Sequence, residues 1–122
     1  MANRHLSRSI VLQSLFEWDF SGKPEDLKSI VDRNVFEFAP GHSDNEFMYN
    51  LAETVQRKQT VIDDITTKAA PEWPLDQIAA IDRNILRIAF WEFAVSRETP
   101  VKVAINEAVE LAKRFGSRQS AQ

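Results

Sequence analysis

The sequence predicts an all-α protein, a compact helical bundle of about six to seven helices. Two observations carry that prediction. Three Gly and five Pro fall between apolar-periodic segments rather than inside them. The apolar residues recur at spacings of three and four, and no useful stretch alternates with the period of two that a half-buried strand shows. No repeat with a period of 20–50 residues is visible, and 122 residues suit a single domain, 1–122.

Taken in order, Asn3 can cap a first helix that runs to about Phe20 and is stopped by Ser21-Gly22. Pro24 suits the first turn of a second helix, ending near Phe38-Ala39 ahead of Pro40-Gly41. Ser43 and Glu46 have the spacing of a capping box, in which hydroxyl and carboxylate each satisfy a free backbone N–H. That opens a third helix, to about Lys58. Thr60 is the expected cap of a short fourth helix ending at Ala69-Ala70-Pro71, with Trp73-Pro74 as a connector. A long fifth helix is expected from Leu75 to Val95, with Ile78, Ile81, Ile85 and Ile88 on one stripe. Thr99 should cap the sixth, with Pro100 at its first position and Gly116 as a left-handed closing residue. Its face of Ala104, Ala108, Leu111, Ala112 and Phe115 reads as core.

Several kinds of chemistry are excluded or lack support. No Cys is present, which removes disulfides, thiolate metal sites and Cys nucleophiles. The two histidines, His5 and His42, have no second ligand at zinc spacing. Asp63-Asp64 is a carboxylate pair, but neighbouring helical residues point about 100° apart, so a solvated face is expected. No phosphate loop, nucleophile elbow or His-Glu-x-x-His motif occurs. The reading is a binding protein, not an enzyme, with no cofactor or metal. The opening residues do not form an apolar leader and no run reaches the length of a membrane span, so a cytoplasmic protein is expected.

The net charge of −3 argues against holding nucleic acid by bulk electrostatics, yet the charge is segregated. Residues 1–16 carry +2, residues 17–82 carry −8 and residues 83–122 carry +3. Arg4 and Arg8 share a face at the start of the first helix, where guanidinium groups can pair with phosphate or stack on an unpaired base. The same helix has two apolar rows. Ile10, Val11, Ser14, Leu15 and Trp18 suit a core, while Leu12, Phe16 and Phe20 form a second row at spacings of four. Either both rows are buried, or Phe16 and Phe20 stay partly exposed as aromatic anchors for a partner.

These segments resemble the NusB family. The stretch from Arg4 to Trp18, with Arg8, Gln13, Leu15 and Phe16, is similar to that family's Arg-rich opening helix. Ile81 to Phe93, especially Leu86-Arg87-Ile88-Ala89 and Glu92, is similar to its central helix. Pro100 to Gly116 resembles its most recognisable segment, whereas residues 23–75 match in helical pattern alone. The resemblance implies about seven helices in two packed bundles. It also implies a transcription antitermination factor that binds the single-stranded boxA element of ribosomal RNA leaders together with the ribosomal protein NusE. The complex so formed joins RNA polymerase and other Nus factors.

By position, the resemblance gives Arg4, His5, Arg8, Arg118 and Gln119 to RNA, and Phe16, Phe20 and Asp82 to NusE. Two departures stand out. Leu6 interrupts the basic run, and His5, whose charge depends on pH, stands where the family often has Arg. The sequence stops at Gln122, where the family continues into a last helix. The expectation is a chain truncated before that helix, with an uncovered groove that favours a homodimer. The alternatives are the NusB-like N-terminal domain of a ribosomal RNA cytosine methyltransferase, or a structural helical module without an RNA role.

Overall fold

The computed structural model describes residues 4–22, 25–41, 45–72, 75 and 77–116. Among these the regular structure is wholly helical: α1 (Arg4–Phe20), α2 (Leu27–Phe38), α3 (Asn45–Arg57), α4 (Gln59–Ala69), α5 (Ala80–Phe90) and α6 (Val101–Leu111). Wider π turns extend α5 over Trp91–Val95 and α6 over Ala112–Gly116. The chain divides into two compact units, Met1–Gln56 and Arg57–Gln122. The expected features at Asn3, Pro24, Ser43, Trp73 and Pro74 lie outside the described residues.

In the first unit the predicted stripe of α1 is core. Ile10, Val11, Leu15 and Trp18 are buried, and Leu12 from the second row joins them. Leu27, Ile30 and Val31 of α2, Ala39 after it, and Met48, Leu51, Ala52 and Val55 of α3 are buried with them. Each large aliphatic side chain so buried contributes about 1.5–3 kcal/mol relative to exposure. α1 also buries small polar residues: Ser7, Ser9 and Ser14. The Ser9 hydroxyl donates to the His5 carbonyl at 3.0 Å and that of Ser14 to the Ile10 carbonyl at 2.8 Å, so burial leaves neither hydroxyl unsatisfied. Asn34 of α2, also buried, donates its amide to Ser14 Oγ at 3.0 Å and to Glu17 Oε1 at 3.2 Å.

Contact between α2 and α3 includes a polar group near the surface. The Tyr49 hydroxyl donates to Asp32, and Lys28 Nζ lies 3.2 Å from the other carboxylate oxygen. The hydroxyl and the ammonium hold the Asp32 carboxyl below its usual range. Partial burial, then the adjacent carboxylate, push Tyr49 up to about 12.

In the second unit Ile62, Ile81, Ile85, Ile88, Ala104 and Leu111 are buried. Arg87, only 7% exposed, clamps Asp63 of α4 through two bonds, Nε to Oδ1 at 3.0 Å and Nη2 to Oδ2 at 2.9 Å. Its Nη1 donates to Asn84 Oδ1 at 3.1 Å. The expectation of a solvated acidic pair is therefore corrected: Asp64 does face out, paired with Lys68 at 3.1 Å, but Asp63 ties two helices together.

Helix starts differ from expectation for local reasons. Thr60 lies within the first turn of α4, because the chain passes from α3 to α4 through Lys58 alone and the Lys58 carbonyl accepts the first bond, from Ile62 N at 2.9 Å. The fifth helix begins at Ala80 instead of Leu75. The Arg83 guanidinium takes the carbonyls of Leu75 and Ile78, at 3.0 and 3.2 Å, as a side-chain-stabilised turn. Pro100, with ψ of 145°, is the residue before α6 and not its first helical one. Thr99 does not cap it, since its hydroxyl donates to the buried Glu92 carboxylate at 3.0 Å. Gly116 is the last residue of the π turn. Gly22 and Gly41 take positive φ in the turns after α1 and α2, where a side chain would be strained.

Two outcomes follow. Asp63→Ala should lower stability by about 2–3 kcal/mol, less than a fully buried pair because the Asp63 side chain is 29% exposed. A urea-melt loss under about 0.5 kcal/mol would instead rank the pair with ordinary surface ion pairs. Tyr49 is the sole tyrosine, so tyrosinate absorbance titrates it directly. Its midpoint should lie near 12 and fall in Asp32→Ala. The native state holds the proton more tightly, so the contribution is complete below pH 10 and lost as pH rises through about 12. An unchanged midpoint in the variant would exclude Asp32 as a cause.

Candidate nucleic-acid interface and partner surface

The start of α1 presents the predicted basic residues in unequal ways. Arg4 is exposed, His5 is half-buried, and Arg8 is buried at 6% exposure. Both guanidinium groups lie over the ring of Phe47, at 4.0 Å from the centroid for Arg4 and 5.3 Å for Arg8. The ring's negative face attracts each cation, by about 0.5–2 kcal/mol depending on desolvation. The spacing of four on α1 puts both side chains on one face, and the first turn of α3 brings the aromatic to them.

Sequence reasoning missed Phe47. Its helix has an apolar stripe of Met48, Leu51, Ala52 and Val55, and Phe47 stands at the edge of it. An aromatic beside a stripe is the available signal, but nothing local says that its neighbours are arginines of another helix.

The second row of α1 divides. Leu12 is core, Phe16 is half-buried and Phe20 is 74% exposed. Phe16 and Phe20 stack on each other with centroids 5.4 Å apart and planes 23° apart. The partly exposed alternative is thus the one observed. Stacking fixes both rings on a rigid helix, so a partner that covers them gains apolar burial at little entropic cost. Beside them Glu17 is held by Arg33 at 2.7 Å and by the Asn34 amide. Two more aromatics, Phe36 and Phe38 of α2, are 82% and 60% exposed, and helical spacing alone did not single them out.

Asp82 belongs to the second unit and lies in the first turn of α5, half-buried. A carboxylate there is favoured by the helix dipole whatever else it does. The α6 residues of the recognisable segment are mixed. Ala104 and Leu111 are buried, but Val101, Ile105 and Val109 form an exposed row at about half exposure. Asn106 is exposed and bears no buried structural role. Arg118, Gln119 and His42 lie outside the described residues.

A cleft of about 320 Å³ between α2 and α3 is lined by Leu27, Lys28, Val31, Tyr49 and Glu53 among others. It contains none of the predicted site residues, and its carboxylates Asp26 and Glu53 disfavour a phosphate ligand. Among the described residues no group of three His, Asp or Glu side chains is placed to hold a metal. No described helix is long and apolar enough to cross a membrane.

Comparison with known proteins gives a consistent picture. The sequence profile described as the NusB family matches residues 5–122. The transcription antitermination protein NusB of Dehalococcoides mccartyi strain 195 is 38% identical over 120 residues, covering 98% of this chain and 82% of that protein. NusB of Desulfitobacterium hafniense strain DCB-2 is 39% identical over 118 residues, covering 97% and 80%. Among solved structures, T. maritima NusB superposes with a TM-score of 0.81 at 28% identity, over 95% of this chain and 81% of that one. A structure of the antitermination factors NusB and NusE with double-stranded RNA shares the fold, with a TM-score of 0.82 at 23% identity, over 95% and 85%. With a family match across nearly its whole length and relatives near 40% identity, the chain belongs to the NusB family.

Proposed function

We propose that this chain is a transcription antitermination factor that binds the boxA element of ribosomal RNA leaders together with NusE, in a complex with RNA polymerase and other Nus factors. The observation that carries the reading is α1, which has a guanidinium cluster at one end and a stacked, partly exposed aromatic pair at the other. The relatives' name supports the antitermination role. In this reading Arg4, His5 and Arg8 serve RNA, with Arg118 and Gln119 as further contacts. Phe16 and Phe20 in the first unit, and Asp82 in the second, serve NusE.

Arg4 is the better RNA probe, because Arg8 is buried and its removal also disturbs packing. Phe20, 74% exposed, is likewise a better partner probe than the half-buried Phe16. In fluorescence anisotropy with a labelled boxA RNA, NusE should raise the affinity. Phe20→Ala should weaken NusE binding by about tenfold or more, as expected for an aromatic anchor. Arg4→Ala should lower RNA affinity and its salt slope while NusE binding stays intact. If NusE neither binds nor strengthens RNA binding, the partner assignment fails.

A further inference from the structure

The arginines at the start of α1 do not act as solvated charges on flexible stems. Arg4 is exposed and stands in the first described turn, where helix ends fray. A long side chain in that position loses rotamer freedom when a ligand orders it. Here its guanidinium carbon already sits 4.0 Å from the centroid of an aromatic ring. That ring comes from α3, and it also takes the guanidinium of Arg8, which is buried. Two like charges share one ring, and its negative face offsets part of their repulsion.

We propose that Phe47 is a positioning residue for RNA: its ring holds the Arg4 guanidinium in a fixed plane so that an unpaired nucleobase stacks on it. The proposal rests on the RNA-binding reading above and adds the residue and the ligand group. Ordering Arg4 before RNA arrives removes part of the entropic cost of binding. A planar guanidinium stacks on a base as well as pairing with phosphate, and stacking needs the plane to be set. Arg8, one turn on and buried, brings a second guanidinium to the same ring, 5.3 Å from its centroid.

The test compares Phe47→Leu, which keeps apolar bulk and loses the π face, with Phe47→Tyr, which keeps both. In the free protein, the Arg4 Nε–Hε resonance should carry an aromatic ring-current shift that Phe47→Leu abolishes and Phe47→Tyr retains. With single-stranded boxA RNA, Phe47→Leu should bind about three- to tenfold more weakly and Phe47→Tyr within about twofold of wild type. The double variant Arg4→Ala with Phe47→Leu should bind no more weakly than Arg4→Ala alone, because both changes remove one device. Arg4→Lys should keep the salt slope that the charge supplies but bind more weakly than wild type, since an ammonium cannot stack on a base.

A ring-current shift lost without loss of RNA affinity overturns the positioning role, and so do effects of Arg4→Ala and Phe47→Leu that simply add. Full activity of Arg4→Lys replaces base stacking with a phosphate contact. Wild-type protein that binds no RNA at all, with the shift intact, refutes the underlying functional reading and this proposal with it.

Discussion

The buried amide of Asn34 sets the register on which the first unit depends. It lies at 1% exposure between α1 and α2 and has two acceptors on α1, Ser14 Oγ and Glu17 Oε1. Sliding α2 by a turn along α1 would leave that amide without acceptors in a dry environment, a cost of about 1–3 kcal/mol. Apolar contacts alone tolerate such a slide better, because Ile, Val and Leu repack with modest loss. Ser14, the acceptor for that amide, is one of three small polar residues that α1 buries, with Ser7 and Ser9. Their hydroxyls are satisfied within the helix where the structure shows a bond, for Ser9 and Ser14. The register of α1 in turn decides what its two ends present.

The second unit uses a charged version of the same device. Arg87 is nearly buried, and its guanidinium is matched by Asp63 from α4 and Asn84 from its own helix. The fork geometry of arginine suits a carboxylate at two points, which orients α4 on α5 as well as attracting it. Glu92, also buried, receives Thr99 and ties the π turn to the connector before α6. Both units thus combine a nonspecific apolar core with a few satisfied polar contacts that select one arrangement.

On α1, structure and proposed function share one helix by dividing it lengthwise. Its middle is core, with Ile10, Val11, Leu12, Leu15 and Trp18 buried together with the Ser14 hydroxyl. Its first two turns carry the guanidinium pair over Phe47, and its last turn carries Phe20, stacked on Phe16. A helix anchored through its middle holds both ends at fixed separation, and a rigid carrier is what preorganised binding groups need.

Much of the fold was legible in the sequence, because helical periodicity and breaker residues act over a few residues. The stripes of α1, α5 and α6 identified Ile10, Leu15, Ile81, Ile85, Ile88, Ala104 and Leu111 as buried, and Ser21-Gly22 and Pro40-Gly41 marked real ends. The family was legible as well, in the run from Pro100 to Gly116. Helix starts were less legible wherever a side chain from elsewhere took the backbone or the cap: Arg83 delays α5 and Glu92 takes Thr99. Whether Phe16 and Phe20 were core or surface could not be read from spacing, since both faces of α1 look apolar. Only packing separated Leu12 from Phe20. The arginines at the start of α1, read in sequence as sharing one face, are one exposed and one buried group on a shared ring. That ring belongs to a helix distant in sequence, and only the tertiary structure brings the three side chains together.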